Sequence, residues 1–450
     1  MLQFLIGLSY VNIAWLLGSS MQRAVYNLPP LSIVAALALL GTGFYSFKLK
    51  SEAFWFLLIV SVFGVSAALY HGLTIWHVRQ ILAFGAAAAV WMFLYQVGSK
   101  RDIITMSTTA TLLTIYAVFA LIEVTERVLF NSAVLGYVVG SIFSYHPDTI
   151  VNYTLSNAIP RLSYFSNEPS SAAYAIAAVI MPYIAANAVV EKSRRSLALL
   201  AIASFVLYMA EGVTSEVLLL FTISFVIFPR LTVIGVPAVM ATVLIGVIGA
   251  SSLIEDRQDL IRFLLGTFGG ISSRIDVGFE SGSYLSRLSN WFIGAKTFLQ
   301  APIFGQGFGG TGANFFGLVN SGYDLIYTAE QQGFLEGDIA PTNAQMVLRI
   351  PAEIGIAGTA YILYKALGLI KFVLRVDSED RMAHYAFLYA LGAMLLSFTI
   401  TSEYLSPMIS SFVVLLAQLL RKRSAHAVPA ESPQPSQTPI VPGAATAEHP

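Results

Sequence analysis

Seven basic side chains stand in stretches of the chain where positive charge is disfavoured: Arg161, Arg257, Arg262, Arg274, Arg287, Lys296 and Arg349. A guanidinium keeps its charge and meets the oxygens of a phosphate two at a time, so arginines in such places could clamp an anion. Glu168 follows closely on Arg161, and a carboxylate beside an anion clamp could take the proton of an attacking hydroxyl. The plainer reading is also open: these arginines pair with carboxylates such as Asp276 and Glu280, or with lipid headgroups.

Other chemistries fall away. The chain has no cysteine, which removes disulfides, thiol nucleophiles and Cys-based metal sites. Glu336 and Asp338 are the only close acidic pair late in that region. Two carboxylates without a histidine make a weak metal site, so neither a metal nor a cofactor is expected. The run PIFGQGFGGTG holds a literal GxGxxG at Gly305, Gly307 and Gly310. No strand precedes it and no βαβ unit follows, so it reads as a tight, closely packed turn and not as a dinucleotide fingerprint. Lys+Arg and Asp+Glu are equal at 25 each, and this balance gives no reason to expect nucleic acid as a partner.

The elements that must position these residues are membrane helices. The chain is 56% hydrophobic and 11% charged, with a mean hydropathy of +0.72. Its apolar blocks are long enough to cross a bilayer, which takes roughly 20 residues per helix. They lack the alternation of β-barrel strands. The sequence therefore predicts an all-α, polytopic integral membrane protein of about twelve transmembrane helices. The spans fall near 2–20, 31–47, 53–70, 79–97, 103–122, 171–190, 197–211, 213–228, 231–254, 346–374, 383–402 and 404–420. The first lacks a basic leader and a small-residue cleavage site, so it reads as a retained span.

A further apolar segment, 128–145, is placed by charge. With it left out, Lys48/Lys50, Lys100/Arg101, Lys192/Arg194/Arg195, Arg230, Lys371/Arg375/Arg381 and Arg421/Lys422/Arg423 all fall on one face. The positive-inside rule then puts both termini in the cytoplasm and 128–145 in the outer interface or a re-entrant position. Residues 1–254 form one membrane region, interrupted by an outer loop at 123–170, and 346–423 form a second. Between them, 255–345 is a large periplasmic loop, lying between spans 10 and 11 when 128–145 is numbered among the apolar segments. The Pro/Ala/Ser/Thr-rich tail 424–450 reads as a disordered cytoplasmic extension.

Within the large loop, 286–300 (SRLSNWFIGAKTFLQ) places Leu288, Trp291, Phe292, Ala295, Phe298 and Leu299 at helical spacing, with Arg287, Asn290 and Lys296 off the stripe. That predicts an amphipathic helix ended by Pro302, resting on the membrane or the helix bundle and holding Arg287 at headgroup depth. Tyr284, Phe304, Phe308, Phe315, Phe316, Tyr323, Tyr327 and Phe334 would build a small core for the loop, and some could stack on sugar rings. Pro169 and the serines after it mark a helix entry. Glu211 and Glu216 flank a short hairpin, where they are either functional or simply hydrated.

Four stretches together resemble the O-antigen polymerase and ligase superfamily of bacterial surface-polysaccharide assembly. They are Arg161 followed by FSNEPSSAAYA, RLSNWFIGAKTFLQAPIFGQGFGG (287–310), TNAQMVLRIPAEIGIAG (342–358) with its E-x-G-x-x-G ending, and the hairpin GVTSEVLLLF. The likeness spans the chain apart from the tail, through short and loose motifs. Two departures stand out. Ligases of the family carry a histidine before the last outer-loop motif, where this chain reads Pro341-Thr342-Asn343; that favours a polymerase. In the hairpin, Ser215-Glu216 stands where the family often has Ser-Arg.

The resemblance implies a metal-independent glycosyltransferase of the bacterial inner membrane. Its substrate would be an undecaprenyl-diphosphate-linked oligosaccharide, with membrane lipid around it and a chain-length regulator protein as a further partner. On this reading Arg161, Glu168 and Arg287 are catalytic, with Glu168 the base, while Arg274, Lys296, Arg349 and Trp291 bind substrate. A ligase of the same superfamily and a lipid-glycan transporter are the competing readings.

Overall fold

The computed structural model describes residues 51–143, 169–210, 213–253, 282–320, 344–375, 380–399 and 406–427, together with Gln3, Ile6, Leu162, Tyr164 and Tyr404. Every element among them is helical, and no strand occurs among the described residues. In chain order the helices are α1 (Ser51–His71), α2 (Ile75–Lys100), α3 (Met106–Phe130), α4 (Val134–Phe143), α5 (Pro169–Val179), α6 (Met181–Glu191) and α7 (Arg194–Met209). They continue with α8 (Val213–Ile227), α9 (Pro229–Leu253), α10 (Gly282–Gln300), α11 (Gly310–Asn320), α12 (Met346–Arg375), α13 (Arg381–Ser397) and α14 (Pro407–Ala427).

Short polar side chains start three of these helices by satisfying amides that have no partner in the first turn. Thr105 accepts from the Thr108 amide, Ser193 from Ser196 and Asp380 from Ala383. Left-handed residues end two of them, Asn131 after α3 and Lys192 after α6. The segment 128–145 divides there: its first residues close α3, and Val134–Phe143 is a separate helix of 10 residues. At 1.5 Å per residue those ten span about 15 Å, half a bilayer.

Among the described residues, three helices are long and apolar enough to cross a membrane: Ile75–Lys100, Pro229–Gly249 and Met346–Phe372. A fourth is formed if α5 and α6 count as one span, bent by 45° where Pro182 removes an amide donor from the ladder. This is the all-helical, apolar architecture that composition led us to expect. Helices α1 and α8 are shorter apolar elements, and the expected spans at 2–20 and 31–47 lie outside the described residues but for Gln3 and Ile6.

Residues 171–189 are buried without interruption, so the α5–α6 pair forms the centre of the bundle. Helices that do not pack on this pair present apolar side chains outward instead: Trp55 and Leu69 on α1, Leu82 on α2, Leu231 and Ile245 on α9, Leu363 and Leu367 on α12. A shell apolar on its outside is what helices facing lipid require.

One end of the bundle is tied by charge. Arg421 bonds Asp102 at 2.5 Å and the Lys100 carbonyl at 3.2 Å, Lys422 bonds Asp380 at 2.6 Å, and the Arg423 guanidinium lies 4.9 Å from the Phe372 ring centre. Gln418 completes the joint through Asp102 and the Ile104 carbonyl. The C-terminal ends of α2, α12 and α14 and the start of α13 thus meet. The opposite ends of α2 and α12 converge on residues 301–310.

Candidate functional site

The site is built where two glycine motifs far apart in sequence interlock. In α12, Gly355 leaves the helical conformation (φ 66°, ψ −175°), four residues after Pro351. Such a break strands four backbone groups, which in an apolar setting must find partners. They find them in the turn that follows α10. Gln306 N–H donates to the Ala352 carbonyl at 2.8 Å and Gly307 N–H to the Glu353 carbonyl at 2.8 Å. In return, Ile356 N–H donates to Pro302 at 2.8 Å and Ala357 N–H to Ile303 at 3.3 Å.

Glycine is required on both sides of this exchange. Gly305, Gly307 and Gly309 all have positive φ (76°, 87° and 86°). A Cβ on Gly305 would strike the Glu353 backbone, and one on Gly307 the Ala68 backbone of α1. The GxGxxG run is therefore the tight, closely packed turn expected of it, and its packing partners are α1, α2 and α12.

Under the turn lies a buried polar cluster. Arg349 is 0% exposed and Glu353 1%. Arg349 Nε donates to Glu353 Oε1 at 2.9 Å and its Nη2 to Gln80 Oε1 at 2.6 Å, while the guanidinium sits 4.0 Å from the Tyr404 ring centre. Glu353 Oε1 also accepts from Gly309 N–H at 2.9 Å, just before α11 begins, where the helix dipole favours a carboxylate. Its Oε2 accepts from the Tyr404 hydroxyl. Both carboxylate oxygens are thus engaged, so Glu353 fixes the position of its neighbours and is no free base.

The first turn of α2 closes the cluster. His77 Nδ1 accepts from the Thr74 amide at 3.1 Å, which leaves the proton on Nε2, facing the Gln306 carbonyl at 3.2 Å. Phe84 then stacks on Phe308 (centroids 4.7 Å) and meets Tyr404 edge-on (5.4 Å). Among the described residues no three His, Asp or Glu side chains converge on a common point.

Of the residues picked from sequence, Arg349 is at the centre of this cluster. Lys296 lies 5.3 Å from the Phe292 ring centre on α10. Trp291 packs on a small apolar cluster formed by Val247, Ala295, Val347 and Leu348. The amphipathic helix rests on α9 and α12, that is, on the bundle. Ala295, Phe292 and Phe298 are buried as the stripe requires, whereas Leu299 is exposed. Arg287 lies on α10, with its side chain outside the described residues. Arg161, Glu168, Arg257, Arg262, Arg274, Asp276, Glu280, Glu336, Asp338 and Glu211 lie outside them altogether. Of the aromatics expected to form a loop core, Phe308 and Phe315 are buried and Phe304 is exposed.

Sequence reasoning named none of Glu353, Gln80, His77 and Tyr404 as a site residue, although Glu353 is the glutamate of the E-x-G-x-x-G motif. Glu353 carried a signal: a carboxylate four residues after an arginine in an apolar helix reads as an i,i+4 ion pair. Comparison of the chain with protein-family models, curated proteins and solved structures finds no match.

Proposed function

We propose that this protein polymerises lipid-linked glycan repeat units at the outer face of the bacterial inner membrane, through about twelve spans with both termini cytoplasmic. The observation that supports this reading is the Arg349–Glu353 pair, buried under a glycine turn at the end of the bundle opposite the basic residues Arg421 and Lys422. Basic ends belong in the cytoplasm, so the turn faces outward. A membrane protein that keeps an ion pair and a backbone exchange at that depth maintains a rigid polar floor there, and a reaction at the membrane surface needs one.

In the reaction, an acceptor hydroxyl attacks the anomeric carbon of the donor. The bond from that carbon to the diphosphate breaks and the lipid diphosphate leaves. Glu168 takes the hydroxyl proton, while Arg161, Arg274 and Arg287 neutralise the charge that develops on the leaving group. Arg349 is enclosed by its partners, so its part is to hold the floor and not to meet the phosphate directly.

Purified protein in liposomes tests the reading. Lipid-linked repeat units supplied alone should lengthen. Elongation that requires a separate acceptor would point to a ligase, and a change of sidedness without elongation to a transporter. In cells, Arg161→Ala and Arg287→Ala should each shorten the polymer; normal chain length in both, at normal protein level, would reject these assignments.

A further inference from the structure

The start of α2 carries one cation that the site as described does not use. Arg79 lies between His77, which holds the glycine turn, and Gln80, which holds Arg349. Its guanidinium lies 5.5 Å from the ring centre of Trp76, whose carbonyl borders Gly309. The side chain is half-buried, its Nη2 is enclosed, and among the described residues that nitrogen has no hydrogen-bond partner.

An arginine cannot shed its charge to escape such a place. Arg79 is half-buried and makes no ion pair among the described residues, so the part of its fork that stays exposed is open to an anion. Position on the helix says where the anion comes from. His77, Gln80 and Phe84 face the cluster, whereas Ile75, Val78 and Leu82 are exposed on the lipid-facing side. Arg79 and Trp76 lie between these faces, beside the turn, and both are partly exposed.

We infer that Arg79, with Trp76 beneath it, is the entry point for a phosphate-bearing lipid: its guanidinium receives the phosphate oxygens as the lipid reaches the glycine turn from the membrane. Two sources share that chemistry, an isoprenyl diphosphate carrier and the phosphate of a bilayer headgroup. The choice of the carrier rests on the polymerase reading; the anion site itself does not.

Binding to the full-length protein in a neutral maltoside detergent, which supplies no phosphate, tests the inference with farnesyl diphosphate and phosphatidylglycerol as probes. The wild type should bind farnesyl diphosphate, and Arg79→Gln should weaken that binding about tenfold or more, the value of a charge-assisted hydrogen bond. Arg79→Lys should fall between, since an ammonium lacks the planar fork. Arg79-dependent binding of the diphosphate alone assigns the site to a lipid carrier, and equal dependence for phosphatidylglycerol assigns it to a bilayer headgroup. A wild type that binds neither probe, or an Arg79→Gln protein that binds both as the wild type does, overturns the site. Should Arg79→Gln fail to fold, unchanged diphosphate affinity in Arg79→Lys overturns the guanidinium assignment. Intact Arg79-dependent binding in a protein that lengthens no glycan would reject the polymerase and leave this site standing.

Discussion

At the scale of single residues, Glu353 decides how the site holds together. It satisfies a buried guanidinium, a glycine amide and a tyrosine hydroxyl at once. Removing it leaves Arg349 buried and uncompensated, which in buried pairs costs about 3–5 kcal/mol. Glu353→Ala should therefore lower the melting temperature sharply, and Tyr404→Phe much less, by about 1 kcal/mol for one lost hydrogen bond. Replacing both members, Arg349→Met with Glu353→Leu, should recover part of the loss because no buried charge is left over. Thermal unfolding in detergent measures all three; a double variant no more stable than Glu353→Ala would show that the ion pair is not the source of the cost. Arg349 was legible from the sequence because arginine is conspicuous in an apolar segment. Its partners Gln80 and Tyr404 were not, since ordinary polar residues on other helices become a site only when the fold brings them together.

At the scale of elements, the junction between the turn after α10 and the break in α12 makes a sharper prediction. Gly355→Ala and Gly307→Ala each place a Cβ against backbone at positive φ, where no side chain can move aside, so each should cost at least about 2 kcal/mol. Gly85, in α2, has open space around it, and Gly85→Ala should be neutral or stabilising by up to about 1 kcal/mol. Melting temperatures of the three variants check this contrast, and equal losses would contradict it. The glycine run at 305–310 was visible in sequence as a tight turn, whereas Gly355 fell inside the expected span 346–374 with no break foreseen. Their reciprocal exchange of four hydrogen bonds was not visible either, because no periodicity or spacing records which backbone carbonyl a stranded amide will reach. Helix limits suffered likewise: Met106–Phe130 runs past the expected 103–122, since the cap at Asn131, and not hydropathy, stops it.

At the scale of the whole molecule, the two ends of the bundle differ in kind, and each can be probed. Burial alone would push the Asp380 carboxyl up, but the bond from Lys422 and the Ala383 amide outweigh it and hold the group below the ordinary carboxylate range. Its contribution to stability is therefore full above the unfolded value of about 3.9 and disappears as pH falls through the lower folded value. The melting-temperature gap between wild type and Asp380→Asn should accordingly shrink as pH drops from about 6 to about 3, and a constant gap would contradict the joint. The proposed sidedness can be tested through the same division. Basic residues gather at the Asp102–Arg421 end, which the positive-inside rule assigns to the cytoplasm. Leu73, in the exposed turn before α2, then belongs outside, next to the glycine turn. Because the chain has no cysteine, a single introduced thiol reports without background. Leu73→Cys should react with a membrane-impermeant maleimide in intact cells, whereas Arg423→Cys should react only after permeabilisation. The reverse pattern would place the Arg349 site in the cytoplasm, where undecaprenyl-diphosphate-linked repeat units are built and not joined, and would remove the polymerase reading with it.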